Sequence, residues 1–444
     1  MAGAGVPLVD TGEGLRRHLR VRLAARLSER MRADERSGRS VPSVEDRRRQ
    51  AEEFLEDAAE EYAGELLARG QRVVTEDVEA AAIRQIMNEF FGAGGLEPLL
   101  NDPSVEDIHV NGHDHVFVRH ADGRRLQVQP VAASDEDLVR LVRDMAARSG
   151  VEERRLDRGS PGVGFQLAGG ERAFAVIAVS TRPSLTIRRH RYRRVTLTRL
   201  RQLGTIDERL EAFLAVLVRA RKNILITGGT VMGKTTLLRA LAAEIPARER
   251  LITIEDTFEL GLANDRQAHP NAVALQAREP NIEGEGEISM AELLRWALRM
   301  SPDRVIVGEV RGGEIVPMLN AMSQGNDGSM GTLHASSSQG AFTKIAAYAA
   351  QSAERLPMEA TNLLIASAIH FVVHLDRARG AEHQRVVSSV REVVGADGPQ
   401  VVSNEIYRPG PDRRAQPGVP MRTETMEELR AAGWSPGLME RRRA

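Results

Sequence analysis

The chain has 444 residues and balances 61 Lys plus Arg against 62 Asp plus Glu; a net charge of -1 argues against bulk attraction to nucleic acid or anionic lipid. Hydrophobic and charged shares of 42% and 28% are those of a globular protein rather than a disordered or fibrous one, and at roughly 150 residues per domain the length predicts two or three units. There is no cysteine, which excludes disulfides, thiolate metal sites and a cysteine nucleophile and points to a reducing cytosol.

The apolar runs at 213–218 and 371–373 fall far short of the roughly 20 residues that a spanning helix needs. The N-terminal stretch lacks the charge order, long apolar segment and cleavage site of a secretory signal, so any membrane contact is expected to run through a partner.

In chain order, residues 13–53 are dense in Arg, Glu and Asp, and 33–42 carry Gly38, Ser40 and Pro42; the stretch reads as a charged, mobile arm. Ser43 with Asp46 forms a capping box, after which Phe54, Leu55, Ala58, Tyr62, Leu66 and Leu67 recur at helical spacing. A second helix is expected over 76–91, ended by the glycine-rich 92–95. Strands at 108–110 and 116–119 flank the turn signal Asn111-Gly112, a helix follows at 135–149, and strands at 173–179 and 185–188 complete an α+β unit over 96–194 behind a helical extension over 1–95. The run RRHRYRR (188–194) reads as an interdomain hinge rather than a nucleic-acid grip, because only 4% of residues are aromatic.

From Val195 onward, strands at 223–227, 251–255 and 305–307 alternate with helices at 234–244 and 289–300, which predicts a mainly parallel sheet covered on both faces over 195–408. Residues 409–444, rich in Pro, Gly and Arg, are expected to be largely unstructured.

The sharpest signal is NILITGGTVMGKTTLLRAL. Gly228, Gly233, Lys234 and Thr235 satisfy G-x-x-x-x-G-K-[ST] between an apolar strand and an apolar-periodic helix. In such a loop, Gly228, Gly229, Thr230, Val231, Met232, Gly233, Lys234, Thr235 and Thr236 wrap a phosphate chain. Converging backbone N–H groups and the helix N-terminus hold the phosphates, Lys234 reaches the β and γ phosphates of ATP, and the Thr235 hydroxyl ligates Mg²⁺.

Downstream, ITIEDTFEL places Glu255 and Asp256 at a strand's carboxyl end, and MSPDRVIVGEVRGGE runs a strand into Glu309 with Arg311 and Glu314 behind it. A carboxylate there orients water or holds Mg²⁺. GNDGSMGTLHASS offers Thr332 and His334 as groups near the γ phosphate. His113 and His115 read as turn neighbours rather than metal ligands, and His370 and His374 as partly buried strand residues.

Over about 99–407 these blocks resemble the ATPases of type II and type IV secretion and pilus machines, especially the tight-adherence pilus branch. The resemblance rests on ILITGGT…GKTTLL, ITIEDTFEL, LLRWALRMSPDRVIVGEVRGGE, GSMGTLHAS and VVHLDRARG, with DPSVEDIHVNG, Gly170-Glu171-Arg172 and LTIRRH upstream.

It implies an α/β fold with a RecA-like P-loop NTPase core and a smaller α+β N-terminal domain. It further implies that Glu309 acts in hydrolysis, that Glu255 assists metal or water, that His334 contacts the γ phosphate, and that Arg172 and Arg188 close over nucleotide; Arg311, close behind Glu309, is a further catalytic candidate. The implied assembly is a cytoplasmic homohexamer beneath an inner-membrane platform protein, driving pilin assembly or export. A conjugation motor that exports DNA and a scaffold that has lost catalysis are the alternatives. The departures from the family pattern are Val231 and Met232 in the loop, where a β-branched residue resists positive φ, and Asn326, Gly331 and Ser336 around the histidine box.

Overall fold

Leu15, Leu19 and Leu23 stand four residues apart, so on a helix they form one apolar stripe. In the computed structural model, which describes residues 12–37, 44–149, 156–167, 169–189, 194–278, 280 and 284–435, that stripe is buried. Helices α1 (Glu13–Ser37), α2 (Val44–Ala68) and α3 (Glu76–Phe91) pack Leu15, Leu19 and Leu23 against Leu55, Ala58 and Ile86. Arg20 adds an ion pair to Glu89 at 2.6 Å. The charged-arm expectation is thus corrected over 13–37 and 44–53: three leucines on one face anchor a helix whose other faces are mostly charged. The proposed cap at Ser43 lies outside the described residues.

The chain divides into two compact units, the first of residues 1–163 and 173–188, the second of 164–172 and 189–444. After the three-helix bundle come α4 (Glu97–Asn101), β1 (Val105–Asn111), β2 (Val116–His120), β3 (Arg125–Val128), α5 (Asp135–Arg148), β4 (Gly162–Gln166), β5 (Arg172–Val176) and β6 (Ser184–Arg188). The strands form one sheet in the order β3-β2-β1-β6-β5-β4, with β1 antiparallel to both neighbours.

Ser134 caps α5 by accepting the Asp137 N–H at 3.1 Å. The Asp135 carboxylate one residue on takes two bonds from Arg182, at 2.7 and 2.8 Å, and one ring nitrogen of His113 at 2.9 Å. His115 sits beside Asp114, which Arg182 also grips at 2.8 Å. These histidines belong to an ion-pair network centred on a guanidinium, a setting that disfavours a metal cation.

The second unit continues with α6 (Leu197–Gln202), α7 (Glu208–Arg219), β7 (Ile224–Gly228), α8 (Lys234–Ala242), β8 (Leu251–Glu255), β9 (Ala272–Gln276), α9 (Met290–Ala297), β10 (Arg304–Val310), α10 (Ile315–Ser323), β11 (Met330–His334), α11 (Gly340–Gln351) and α12 (Met358–Ala368). It closes with β12 (Phe371–Ala378), β13 (Ala381–Asp397), β14 (Gln400–Pro409), β15 (Ala415–Pro417) and α13 (Thr423–Ala431).

Nine strands form a sheet in the order β15-β14-β13-β12-β7-β11-β10-β8-β9. From β12 to β9 every pairing is parallel. The expected parallel sheet is there, and β13, β14 and β15 extend it as an antiparallel meander. Strand alternation splits the core: Ile224 and Ile226 face the α7, α8 and α13 side, Leu225 the α9 to α12 side.

The expected unstructured tail is also corrected. β15 pairs with β14, and α13 with the turn after it brings Leu429 and Trp434 into the core, where the Trp434 and Phe213 ring centroids lie 6.1 Å apart. Gly410, Pro411, Gly418 and Pro420 lie between these elements, and a few large apolar side chains suffice to dock them. Among the described residues no helix is long and apolar enough to cross a membrane.

At the edge of the sheet where β10 begins, Arg304 is only 1% exposed. Glu249 grips it with two bonds, at 2.7 and 3.0 Å, and the Val218 carbonyl accepts a third at 2.9 Å. Glu249→Ala would leave a buried guanidinium without its counter-charge. Stability is expected to fall by about 3–5 kcal/mol, read from the urea midpoint; an unchanged midpoint would show that the pair holds nothing together.

Candidate nucleotide site

Parallel strands deliver their last residues to one edge of the sheet, the edge where open α/β sheets bind ligands. Here β7 ends at Gly228, β8 at Glu255 and β11 at His334, while β10 carries Glu309 next to its end. Because β11 lies between β7 and β10, register pairs His334 with Gly228 and Leu333 with Val310.

The loop from β7 to α8 depends on its glycines. A Cβ on Gly228 would stand 2.8 Å from the Leu375 carbonyl oxygen, and Gly233, the residue before α8, has φ +87°. Val231 also has φ +63°. The loop therefore holds a β-branched residue in the left-handed region that it resists, at a cost of about 1–2 kcal/mol. Val231→Gly is expected to raise stability by about 1 kcal/mol after the entropy of a new glycine is subtracted. Chemical denaturation checks this, and a loss of stability would contradict it.

Lys234 opens α8 and is 6% exposed. Its Nζ donates to the carbonyls of Gly229 at 3.1 Å and Gly228 at 3.4 Å, and lies 3.1 Å from His334 Nδ1 and 3.5 Å from Glu309 Oε1. Glu309 Oε1 also meets His334 Nε2 at 2.8 Å, while Oε2 accepts from Arg311 Nε at 2.7 Å. Arg311 reaches on to Asp256 at 3.1 Å. Lys234, Glu309, His334 and Arg311 are therefore one cluster, with Asp256 at its far end.

Burial pushes the Lys234 ammonium below its ordinary pKa despite the pull of Glu309, and burial lowers the His334 imidazole as well. Burial alone would raise Glu309. The Arg311 hydrogen bond and the charges of His334, Arg311 and Lys234 outweigh it and hold that carboxyl below its usual range. Glu255 goes the other way: it is 2% exposed, and burial lifts its carboxyl to about 7.

Glu255 accepts the backbone N–H groups of Glu259 and Leu260, both at 2.7 Å, so one of its oxygens ties down the loop after β8. Arg172 is grouped with the second unit and lies 3.7 Å from Asp256 and 3.8 Å from Glu259. Arg188 belongs to the first unit, where its carboxylate neighbour is Asp107 at 3.4 Å.

Thr332 does not join the cluster. Its hydroxyl donates to the Gly308 carbonyl at 2.7 Å and ties β11 to β10. Asn326 donates to the Ala321 carbonyl at 3.3 Å and accepts the Ser329 hydroxyl at 2.6 Å through its own carbonyl, closing the loop after α10. At Gly331 a Cβ would come within 2.9 Å of the Met318 sulfur. Sequence reasoning passed over Arg385, which β13 sets beside Gly233; only the strand pairing, not the local sequence, reveals it.

A family model described as "Type II/IV secretion system protein" matches residues 92–409. A Mycobacterium tuberculosis protein, provisionally named for conjugal transfer, is 36% identical over 330 residues, covering 72% of this chain and 90% of its own. The type IV secretion system protein PtlH of Bordetella pertussis is 31% identical over 70% of this chain and 97% of its own. Among solved structures, the VirB11 ATPase of the Brucella suis type IV secretion system, in complex with sulphate, is 29% identical with a TM-score of 0.36, over 67% of this chain and 95% of its own. The phosphate loop, the parallel sheet that carries it and the carboxylate cluster at its edge make the second unit a RecA-like P-loop core. The chain belongs to the type II/IV secretion system protein family, the family of ATPases that its sequence resembles.

Proposed function

We propose that the chain binds ATP over residues 228–236 and hydrolyses it, as one subunit of a homohexameric motor that drives an inner-membrane platform for pilin assembly or protein export. The observation that carries this reading is the approach of Lys234 Nζ to Glu309 and His334 at the carboxyl edge of a parallel sheet. A buried ammonium at a helix start draws in phosphate oxygens, and a carboxylate kept ionised beside it orients water for attack on the γ phosphate.

Thr235, in the first turn of α8, and Glu309 supply hard oxygen donors of the kind Mg²⁺ prefers, so the residues fit that ion. Such an ion, when bound, offsets charge developing on the phosphates. In this scheme Lys234 exchanges its Glu309 contact for phosphate, His334 lies on the γ side, and Glu309, still held by Arg311, faces the water. Glu255 keeps the loop that carries Asp256 and Glu259 in place.

The proposed location is the inner face of the cytoplasmic membrane, reached through partners. Phosphate release by purified protein with Mg·ATP, beside a Lys234→Ala control, tests the activity, and mass in solution with nucleotide present tests the ring. The 36% identical Mycobacterium relative favours DNA transfer as a second reading. Salt-sensitive stimulation of turnover by single-stranded DNA would support it, and its absence would leave protein export.

A further inference from the structure

We infer that Arg385, contributed by the C-terminal meander, binds the nucleotide at its non-reacting end by pairing with the α phosphate. The inference rests on the nucleotide reading above.

Two strands flank β7. On one side β11 carries His334, followed by β10 with Glu309, so the reacting γ phosphate belongs to that side. On the other side β12 pairs with β7, placing Leu375 opposite Gly228, and then runs on past the end of β7 to Ala378. The antiparallel β13 returns along this overhang, with Arg385 opposite Arg377.

The overhang therefore rises beside the phosphate loop on the flank away from Glu309. Its closeness is direct: a methyl carbon built on Gly233 would stand 3.4 Å from Cδ of Arg385, ordinary van der Waals contact. The guanidinium carbon is two bonds beyond Cδ, so a turn of the end of the side chain brings the guanidinium to the mouth of the loop, where backbone N–H groups meet phosphate. A chain of phosphates whose γ end points to β11 presents its α end to β12 and β13. An arginine fork there makes charge-assisted bonds to phosphate oxygens without touching the bond that breaks. The contact is made equally in the ground and transition states, so it sets affinity and leaves the chemical step alone.

The test is steady-state hydrolysis of Mg·ATP and calorimetric binding of Mg·ADP by full-length protein, parent against Arg385→Ala and Arg385→Lys, with Lys234→Ala alongside. Arg385→Ala is expected to raise KM for ATP and Kd for ADP about tenfold with kcat within about twofold of the parent. Arg385→Lys is expected to recover most of the loss, because a cation remains. The rise in melting temperature on adding Mg·ADP should shrink relative to the parent, which a merely structural arginine would not cause.

An unchanged KM for Arg385→Ala, in a protein whose Lys234→Ala control is inactive, would overturn the inference while leaving the nucleotide site intact. A fall in kcat matching the fall in kcat/KM would also overturn it, since Arg385 would then act on the reacting phosphate. Failure of the parent itself to bind or hydrolyse ATP would instead remove the reading beneath it.

Discussion

Lys234→Ala is expected to lower ATP turnover by at least about a hundredfold to a thousandfold, the usual cost of deleting a preorganised charge beside a reacting group. Lys234 is the buried cation of the phosphate loop, and its ammonium is already aimed inward at the Gly229 carbonyl, His334 and Glu309. Removing it deletes the positive charge that receives phosphate and leaves Glu309 with Arg311 and His334 as its remaining partners. Both effects repel an incoming anion, so binding and chemistry fall together. Phosphate-release kinetics checks the first and fluorescent-nucleotide titration the second; a variant with parental turnover would show that catalysis happens elsewhere.

Glu309→Gln is expected to separate binding from chemistry. The amide keeps the size of the carboxylate, and its oxygen still accepts from Arg311 Nε, whose present bond is 2.7 Å. What disappears is the negative charge that Arg311, His334 and Lys234 together stabilise. Without that charge Lys234 loses a competitor for phosphate, and ATP affinity should stay level or improve. Turnover should fall by about a hundredfold to ten-thousandfold, the typical contribution of a positioned base. The measurements are single-turnover hydrolysis and equilibrium binding on the same preparation. Parental turnover in Glu309→Gln would dismiss this carboxylate from hydrolysis.

The phosphate loop was legible in the sequence because its signal is local: an apolar strand, spaced glycines, a lysine and an apolar-periodic helix suffice. Strands β7, β8 and β10 were legible for the same reason, each being a short apolar run that the sheet buries on both faces. Grouping Lys234 with Glu309, His334 and Arg311 followed from strand ends sharing one edge.

What escaped depends on distant partners. Helix α1 looks like a solvated arm because its four leucines are diluted by charge, and only α2 and α3 give them a core. The docking of Trp434 needs Phe213, more than two hundred positions away, and turn-rich composition hides it. The Thr332 hydroxyl is taken by a carbonyl of the neighbouring strand, and no local pattern announces that. Arg385 reaches Gly233 only through the register of β12 and β13. The left-handed Val231 is set by the closure of the loop around it, against the residue's own preference.

Whether the turn beginning at Gly228 holds a triphosphate next to the Glu309 carboxylate is decided by phosphate release from the purified full-length chain with Mg·ATP, run beside Lys234→Ala and Glu309→Gln. Turnover is expected in the parent and lost in both variants, with nucleotide binding, of the two variants, retained in Glu309→Gln alone. A parent that neither binds adenine nucleotide nor releases phosphate in any assembly state would contradict it.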